Sequence, residues 1–446
     1  MKKTKTKLIM STLLLFGMVF GLVVVQPAEA VLPGANTLVN YNSTNTGVAS
    51  ASSQDSHLSA DGNVIVWKSN SSSVVAGFTT SANVLYKRNI ITGVTSVESV
   101  DSSGTPTSQV APDLFSTSRT GRYIVFTSSR NNIVNTHTIV SGARTHVYLR
   151  DTVSGTNTLV DQSASGVLGN GTTWLTPYVS DDGRFVTFIS GSTNLLTTST
   201  PSGGGAFVKD MRTGKVTIVT ASNAGIIASP SGLNNQLYSS CDGSLIVYRS
   251  NATTLTPQDD GQNNTYLVDL RNGYDIKNVT YQANADVTPI SVSCNGRYIV
   301  MWSSATNLTT DVVDGVKYHT FRYDRLTGEF ILVDKTATGT VSTYDNTGGT
   351  VSDEGKVVFR SNDKNLVLPV ATYAPQLYVF NPDTGVNEIV SINSSGVEQS
   401  LAGVSGPSAG SYISAKGDKV LYNSYSNNLV SGYTGSELKL IISKIE

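Results

Sequence analysis

The chain has 446 residues, a formal net charge of −1 and 14 % charged residues, whereas an average soluble protein has about 25 %. After the first 30 residues, Lys and Arg form no cluster or stripe, which argues against nucleic acid and anionic membrane surfaces as partners. The length alone suggests two or three domains, but all-β folds reach this size as a single domain.

The N-terminus has the layout of a secretory signal. Four lysines within the first seven residues precede an apolar stretch at 8–25, and the Ala-Glu-Ala of residues 28–30 supplies a small-residue cleavage site. We predict a signal peptide at 1–30, cleaved after Ala30, and one mature domain at 31–446. Because the apolar stretch is nearly long enough to span a bilayer, an uncleaved membrane anchor is the alternative. Cleavage would leave a mature chain of net charge −4, since the segment carries four Lys and one Glu.

A turn glycine returns seven times after this segment, at intervals of 53 to 62 residues. The seven positions are Gly62, Gly121, Gly183, Gly243, Gly296, Gly355 and Gly417. In four repeats Asp or Asn precedes the glycine, and such pairs favour tight hairpin turns in which φ is positive. Recurrence at a nearly fixed period is typical of solenoids, propellers and arrays.

Each repeat predicts four antiparallel strands. Around Gly183, a short first strand ends in the turn, the apolar FVTFIS follows, AFVKD comes after a long loop, and KVTIV comes after a second turn, RTG. The second strand is apolar at successive positions, so both of its faces must be buried, whereas an open meander would alternate. A β-propeller provides this double burial, because each blade is sandwiched between two neighbours.

The two ends of the chain complement each other. The segment NTLVNYN at 36–42 matches a fourth strand with no first strand ahead of it, and the last repeat stops after its third strand, LKLIISKIE. We therefore predict an all-β, seven-bladed β-propeller of four-stranded antiparallel blades, closed by pairing of the N-terminal strand in the last blade. This closure ties the two termini together and removes a free sheet edge.

The repeat resembles that of secreted bacterial TolB-like, WD-repeat-like propellers. The similarity rests on a Ser-x-Asp-Gly-Arg turn, an apolar strand ending in Phe-x-Ser, an Asn-Leu pair, a strand ending in Asp and a Thr-Gly turn, as in the repeat from Ser293. It covers essentially the whole mature chain. It implies the fold but no single function, since such propellers serve as binding platforms, assembly partners and enzyme domains. The family often has an Asp ahead of the third strand, where this chain has His146, Asn264 and His319.

The sequence contains no recognisable catalytic constellation. Of four His, His146 and His319 occupy the same position in separate repeats, too far apart around a ring to act together. No Gly-x-Ser-x-Gly nucleophile elbow lies between a strand and a helix. We predict a non-enzymatic binding or assembly scaffold, secreted or periplasmic, without a cofactor. The alternative is a secreted hydrolase or lyase that acts on a glycan or other polymer.

The long loops share one face of the predicted ring, and the short Asp-Gly and Thr-Gly turns share the other. Because rigid scaffolds commonly carry function on loops, the long-loop face is the candidate surface for a protein or glycan partner. The candidate contact residues are Trp174, Tyr178, Tyr318, His319, Tyr373 and Tyr433. For each of them, ordinary loop packing is the alternative.

Acidic residues beside glycine in two long loops suggest a weak Ca²⁺ site, because Ca²⁺ prefers oxygen ligands from such loops. They are Asp259, Asp260, Asp311 and Asp314. Their spacing does not match an EF-hand, and solvated turn residues are the alternative.

The only two cysteines, Cys241 and Cys294, both lie two residues before a turn glycine. They therefore occupy equivalent ends of first strands in adjacent blades, close to the axis where neighbouring blades approach most closely. A disulfide requires Cα atoms about 4.4–6.8 Å apart. A disulfide is one prediction for this pair, and two buried thiols that act as small apolar residues are the other.

Overall fold

A computed structural model of the chain describes residues 24–25, 36–44, 46–49, 55–110, 112–198, 204–227, 233–367, 375–397, 399, 412–433, 435 and 437–445. These residues form seven antiparallel sheets, and the sheets are the blades of a ring. The predicted fold class is confirmed. Helical structure in the described part includes two short 3₁₀ turns, Ser108–Val110 and Leu270–Asn272, and no described helix is long and apolar enough to cross a bilayer.

The blades are numbered in chain order, and the strands of each are given from the first to the fourth. Blade 1 contains Ser56–Leu58, Val64–Ser69, Val84–Asn89 and Val94–Val97. Blade 2 contains Phe115–Thr117, Tyr123–Ser128, His146–Asp151 and Thr156–Leu159. Blade 3 contains Tyr178–Val179, Phe185–Ser190, Gly205–Asp210 and Val216–Ile218. Blade 4 contains Leu233–Ser239, Leu245–Ser250, Asn264–Asp269 and Asp275–Asn278. Blade 5 contains Val287–Val292, Tyr298–Ser303, His319–Asp324 and Glu329–Leu332. Blade 6 contains Thr347–Val351, Val357–Ser361, Gln376–Asn381 and Val386–Ile389. Blade 7 contains Tyr412–Ile413, Lys419–Ser424, Lys439–Lys444 and Asn36–Leu38.

The two ends of the chain meet in blade 7. Asn36–Leu38 pairs antiparallel with Lys439–Lys444, so that the N-terminal strand supplies the fourth strand of the last blade. The paired strand is shorter than the predicted 36–42, because the side chain of Asn40 replaces the backbone ladder there. Its amide oxygen accepts the Leu440 N–H at 2.8 Å, and its amide nitrogen donates to the Leu438 carbonyl at 3.0 Å.

A fifth strand, Val24–Val25, pairs with the fourth strand of blade 1. These are the only described residues of the predicted signal peptide, and the cleavage point after Ala30 lies outside the described residues.

The hydrophobic core lies between the blades. Side chains of Val64–Ser69 alternate, and Val64 and Val66 pack against Ile124 and Phe126 of blade 2. The intervening Ile65 and Trp67 pack against Leu421 and Leu440 of blade 7. All of these side chains are buried, which is the double burial that the unbroken apolar second strands predict.

The turn glycines recur because neighbouring blades come into contact there. All seven have φ between 68° and 87°, in the left-handed region. A Cβ at Gly121 would lie 2.4 Å from Cγ1 of Val64, and one at Gly183 would lie 2.6 Å from the ring of Tyr123, each in the preceding blade. A side chain at these positions would therefore meet both backbone strain and a clash.

A buried serine three residues before each turn glycine closes the hairpin. In every blade its hydroxyl oxygen accepts the backbone N–H at the start of the second strand, at 2.8–3.1 Å. The serines are Ser59, Ser118, Ser180, Ser240, Ser293, Ser352 and Ser414. The Ser and the Gly of the repeated motif are thus both explained by the fold.

Candidate functional site

The long-loop face presents most of the exposed aromatic side chains. Five of the six aromatic residues exposed in the described part of the chain lie in connections on this face. They are Trp174, Tyr281, Tyr318, Tyr344 and Tyr425; the sixth, Tyr274, lies in a short turn on the opposite face. The two faces of the ring therefore differ in how many aromatic side chains they expose to solvent.

The structure separates the six predicted contact residues. Trp174 and Tyr318 lie exposed on the long-loop face, and are 39 % and 47 % exposed. Tyr433 is half-buried and packs edge-on against Tyr41 at 5.9 Å. Tyr178 begins the first strand of blade 3 and lines the central channel instead of a loop. Tyr373 lies outside the described residues.

His319 is not on the loop surface, contrary to its predicted position. Its side chain is buried within blade 5, and its Nδ1 lies 2.7 Å from Oδ2 of Asp334. His146 and Asp161 form the same buried pair in blade 2, also at 2.7 Å. Burial alone would lower the pKa of His319, but the hydrogen bond and charge of Asp334 outweigh it, so that this pKa is raised.

These His–Asp pairs belong to a contact present in all seven blades. A polar side chain after the fourth strand accepts the backbone N–H of the second residue of the third strand. The acceptors are Ser99, Asp161, Thr220, Thr280, Asp334, Ser391 and Asn40. The repeated position of the two histidines thus marks a structural contact that fixes the outer strands of the blade.

The four predicted metal-binding acids do not converge. Asp259 accepts hydrogen bonds from the Leu255 and Thr256 backbone N–H groups and the Tyr266 hydroxyl, and so organises its own loop. Asp260 accepts a hydrogen bond from the Gln262 backbone N–H. Both carboxylate oxygens of Asp311 accept hydrogen bonds from Lys335 Nζ, at 2.9 and 3.2 Å.

Asp314 accepts the backbone N–H groups of Val316 and Lys317, which lower the pKa of its carboxyl group. Within the described residues, one group of three potential metal ligands is close enough to share an ion, and it consists of Asp181, Cys241 and Cys294. Because those two cysteines are bonded to each other, that group offers no thiolate. The weak Ca²⁺ site in the acidic loops stays a prediction, to be checked by calorimetric titration with Ca²⁺.

A central channel with a cavity volume of about 420 Å³ is the feature that sequence reasoning missed. The residue five positions before the turn glycine lines it in all seven blades. These residues are His57, Ser116, Tyr178, Tyr238, Ser291, Thr350 and Tyr412. Because first strands surround the axis of a propeller, this spacing is a signal that the sequence already contained.

A ring of seven hydrogen bonds encircles the axis at the short-turn end of the channel. Each blade is linked there to the next through the residues just before the turn glycine. The donor–acceptor pairs are Ala415–Ala60, Asp61–Arg119, Arg119–Asp181, Asp181–Cys241, Cys241–Cys294, Asn295–Asp353 and Asp353–Ala415, at 2.6–3.0 Å. Asp181 and Asp353 contribute carboxylate oxygens where other blades contribute carbonyls, and this ring closes the first strands around the axis.

A disulfide reinforces this ring between blades 4 and 5. Cys241 and Cys294 are bonded, with Cα atoms 4.6 Å apart. The guanidinium of Arg119 lies beside it, with Nη1 3.5 Å from Cys294 Sγ. The bonded pair is one of the two alternatives that the equivalent placement of the cysteines left open.

The channel wall is largely uncharged. His57 lies deep in the ring, where burial lowers its pKa to about 4, so that its imidazole is neutral at physiological pH. Its Nε2 lies 3.1 Å from the hydroxyl of Tyr412, and the two rings pack at 4.4 Å. Burial raises the pKa of Tyr178 and Tyr238, whose rings lie 5.9 Å apart, so that both phenols are protonated.

No family model and no curated protein matches the chain. Solved structures do match. An oligogalacturonate lyase from Vibrio parahaemolyticus is 12 % identical over 94 % of this chain and 99 % of the lyase, with a TM-score of 0.53. An oligogalacturonate lyase in complex with manganese is 13 % identical over the same shares of both chains, with a TM-score of 0.50.

TolB from Acinetobacter baumannii is also similar in structure. It is 15 % identical over 74 % of this chain and 63 % of the TolB chain, with a TM-score of 0.41. The matched part thus spans less than two thirds of that TolB. At these identities the likeness extends to the propeller fold, and the fold alone does not determine an activity.

Proposed function

We propose that the protein is a non-enzymatic binding or assembly scaffold that works outside the cytoplasm and recognises a protein or glycan partner through its long-loop face. The observation that carries this proposal is the concentration of exposed aromatic side chains on that face. Aromatic residues are enriched at the centres of interfaces. A ring closed by strand pairing holds them in fixed positions, which reduces the entropy lost on binding.

Two features support a location outside the cytoplasm. The N-terminal segment has the layout of a cleaved signal peptide. The disulfide between Cys241 and Cys294 belongs to an oxidising compartment, because cytosolic thiols are kept reduced. The two features are independent, since one is a targeting pattern and the other a pairing in the fold.

The proposal is tested by capturing partners from the envelope fraction of the native cell on the immobilised mature chain. Trp174→Ala, Tyr281→Ala and Tyr344→Ala remove exposed aromatic side chains from the long-loop face. Tyr274→Ala is the matched control, because Tyr274 is similarly exposed on the opposite face. We expect the three variants, but not the control, to lose a captured species. Equal capture by all four variants would contradict docking through this face.

A polymer-acting enzyme is the second candidate function. The similarity in fold between this chain and two oligogalacturonate lyases, over nearly the full length of both, favours this candidate. The channel also contains an imidazole, His57, and a guanidinium, Arg119, which are residue types suited to proton transfer and carboxylate binding. Incubation of the mature chain with oligogalacturonate and Mn²⁺, followed by analysis of the products, tests this candidate. Cleavage that His57→Gln abolishes would replace the scaffold proposal.

A further inference from the structure

The wall of the central channel contains buried polar atoms without partners. Among the described residues, Oε1 of Gln236, Oγ of Ser291 and Nε1 of Trp302 are shielded from solvent and make no hydrogen bond, and all three residues line the channel. Ser291 is 8 % exposed. An unpaired buried polar group is costly, and native structures contain few of them. Fourteen further atoms of this kind lie elsewhere among the described residues, but these three are grouped at one cavity, where a bound molecule would complete their bonding.

The three residues come from adjacent blades. Gln236 lies in the first strand of blade 4, and Ser291 and Trp302 lie in the first and second strands of blade 5. The pleat directs Leu237 into the core between the blades, which places Gln236 and Tyr238 together on the channel side. Because the unpaired atoms of Gln236 and Ser291 are themselves shielded from solvent, these side chains have to rotate before a ligand in the channel can reach them.

Two phenols extend the same wall. Tyr178 and Tyr238 line the channel beside each other, and neither hydroxyl has a hydrogen-bond partner among the described residues. Each ring offers an apolar surface with a polar tip, and this combination suits ligands that have both apolar C–H and polar O–H groups. The wall therefore combines an amide acceptor, an indole donor and three hydroxyl groups that can donate or accept.

The charge of the channel favours a neutral ligand over a strongly ionic one. Arg119 is the only described lining residue that carries a formal charge at neutral pH, and it lies at the short-turn end, close enough to Asp181 and Asp353 for its charge to offset part of the rise that burial causes in the pKa of both carboxyl groups. A ligand carboxylate or phosphate would find its counter-charge already balanced there. The polar groups along the rest of the wall match a neutral ligand that both donates and accepts hydrogen bonds.

We infer that the central channel is a binding site for a neutral saccharide unit. A saccharide supplies hydroxyl groups that donate and accept, together with C–H surfaces that pack on tyrosine rings. The cavity volume of about 420 Å³ falls within the range of small-ligand sites, about 300–1,000 Å³. This site is separate from the proposed docking surface, and neither depends on the other.

Calorimetry on the full mature chain tests the site, with glucose, N-acetylglucosamine, the β-1,4-linked tetramer of each, and galacturonate as probes. We expect a neutral probe to bind with a Kd below about 1 mM and galacturonate to bind more weakly. The fluorescence of Trp302 should change on binding, and Trp302→Phe should abolish that change. Tighter binding of a tetramer identifies the end of a polymer as the source, whereas equal binding identifies a free sugar.

Variants separate a binding role from a structural one. Gln236→Leu, Ser291→Ala and Tyr238→Phe should each weaken saccharide binding about five-fold or more. The Ser291 hydroxyl has no hydrogen-bond partner, so its removal in Ser291→Ala should leave the Tm of the protein unchanged or raise it. Gln109→Leu and Tyr274→Phe are the matched controls, since both residues are exposed and lie outside the channel. These two variants should bind the saccharide as the unchanged protein does.

The inference is overturned if no neutral probe binds, since water alone then fills the channel. Preferential binding of galacturonate would overturn it as well. A lowered Tm of Ser291→Ala with unchanged binding would assign the hydroxyl a structural role and would also count against the inference.

Discussion

Replacing turn glycines by alanine should measure how tightly adjacent blades pack. Gly155, Gly296 and Gly121 have φ of 74°, 73° and 68°, so an alanine suffers similar backbone strain at each position. Their surroundings differ. A Cβ at Gly155 meets nothing within 4 Å, one at Gly296 lies 3.2 Å from Leu245 Cδ2, and one at Gly121 lies 2.4 Å from Val64 Cγ1.

The three substitutions should therefore form a graded series. Gly155→Ala should cost about 1 kcal/mol, because left-handed strain of about 1–2 kcal/mol is partly offset by a less flexible unfolded chain. Gly121→Ala should cost a further 1–3 kcal/mol or so, because Val64 is branched and buried and must move. Gly296→Ala should lie between them, since the end of the Leu245 side chain can give way.

Guanidinium unfolding under oxidising conditions measures this series, with circular dichroism and tryptophan fluorescence as separate probes. Coincident transitions with equal m-values are required before the midpoints are converted into free energies. If Gly155→Ala and Gly121→Ala reduce stability equally, the contact between blades 1 and 2 is not what requires glycine. The recurrence of glycine would then reflect the conformation of the turn alone.

Four further outcomes are expected. Titration of the denatured, non-reduced chain should find no free thiol, and reduction of the bond between Cys241 and Cys294, which closes a loop of 53 residues, should lower stability by about 4 kcal/mol. Deletion of residues 36–38 should destabilise the whole ring, as shown by a single earlier unfolding transition. Mass spectrometry of the native protein should find Val31 as the first residue, whereas an intact chain in the membrane would indicate an anchor. Hydrogen bonds from Arg122 lower the pKa of Asp151 to about 2. The contribution of Asp151 to stability should therefore be present above about pH 4 and lost toward pH 2, and Asp151→Asn should remove this pH dependence.

The fold was predictable because its repeat has two strong local signals. The turn glycine must adopt a positive φ, and the second strand must be apolar on both faces. The hairpin turn and the buried strand can therefore be located in each repeat from its own sequence. Ring closure followed from a strand missing at one end and present at the other. The length of that strand was overestimated, since the Asn40 side chain can substitute for backbone pairing only where the folded chain places it.

The candidate site was harder to predict, because a residue type does not reveal which way its side chain points. His319 has the chemistry of a binding residue, yet its partner Asp334 lies 15 residues later and becomes a neighbour only when the third and fourth strands pair. Tyr178 was assigned to a loop because the first strand of blade 3 has two residues and leaves little periodicity to detect. Asp259 accepts hydrogen bonds from its own loop, a contact that the residue type does not reveal, and its part in a Ca²⁺ site stays a prediction.

The repeats themselves offer a better guide to the site than residue types do. All seven blades have glycine at the turn position and serine three residues before it. Contact between blades requires the glycine, and closure of the hairpin requires the serine. Five residues before the turn glycine, the same geometry is filled by an imidazole, three phenols and three hydroxyl side chains. The fold therefore tolerates variation at this position, and the side chains there are free to define the chemistry of the axis. In a ring of equivalent blades, the positions at which the repeats differ while their geometry is shared are the ones at which specificity for a ligand can be built.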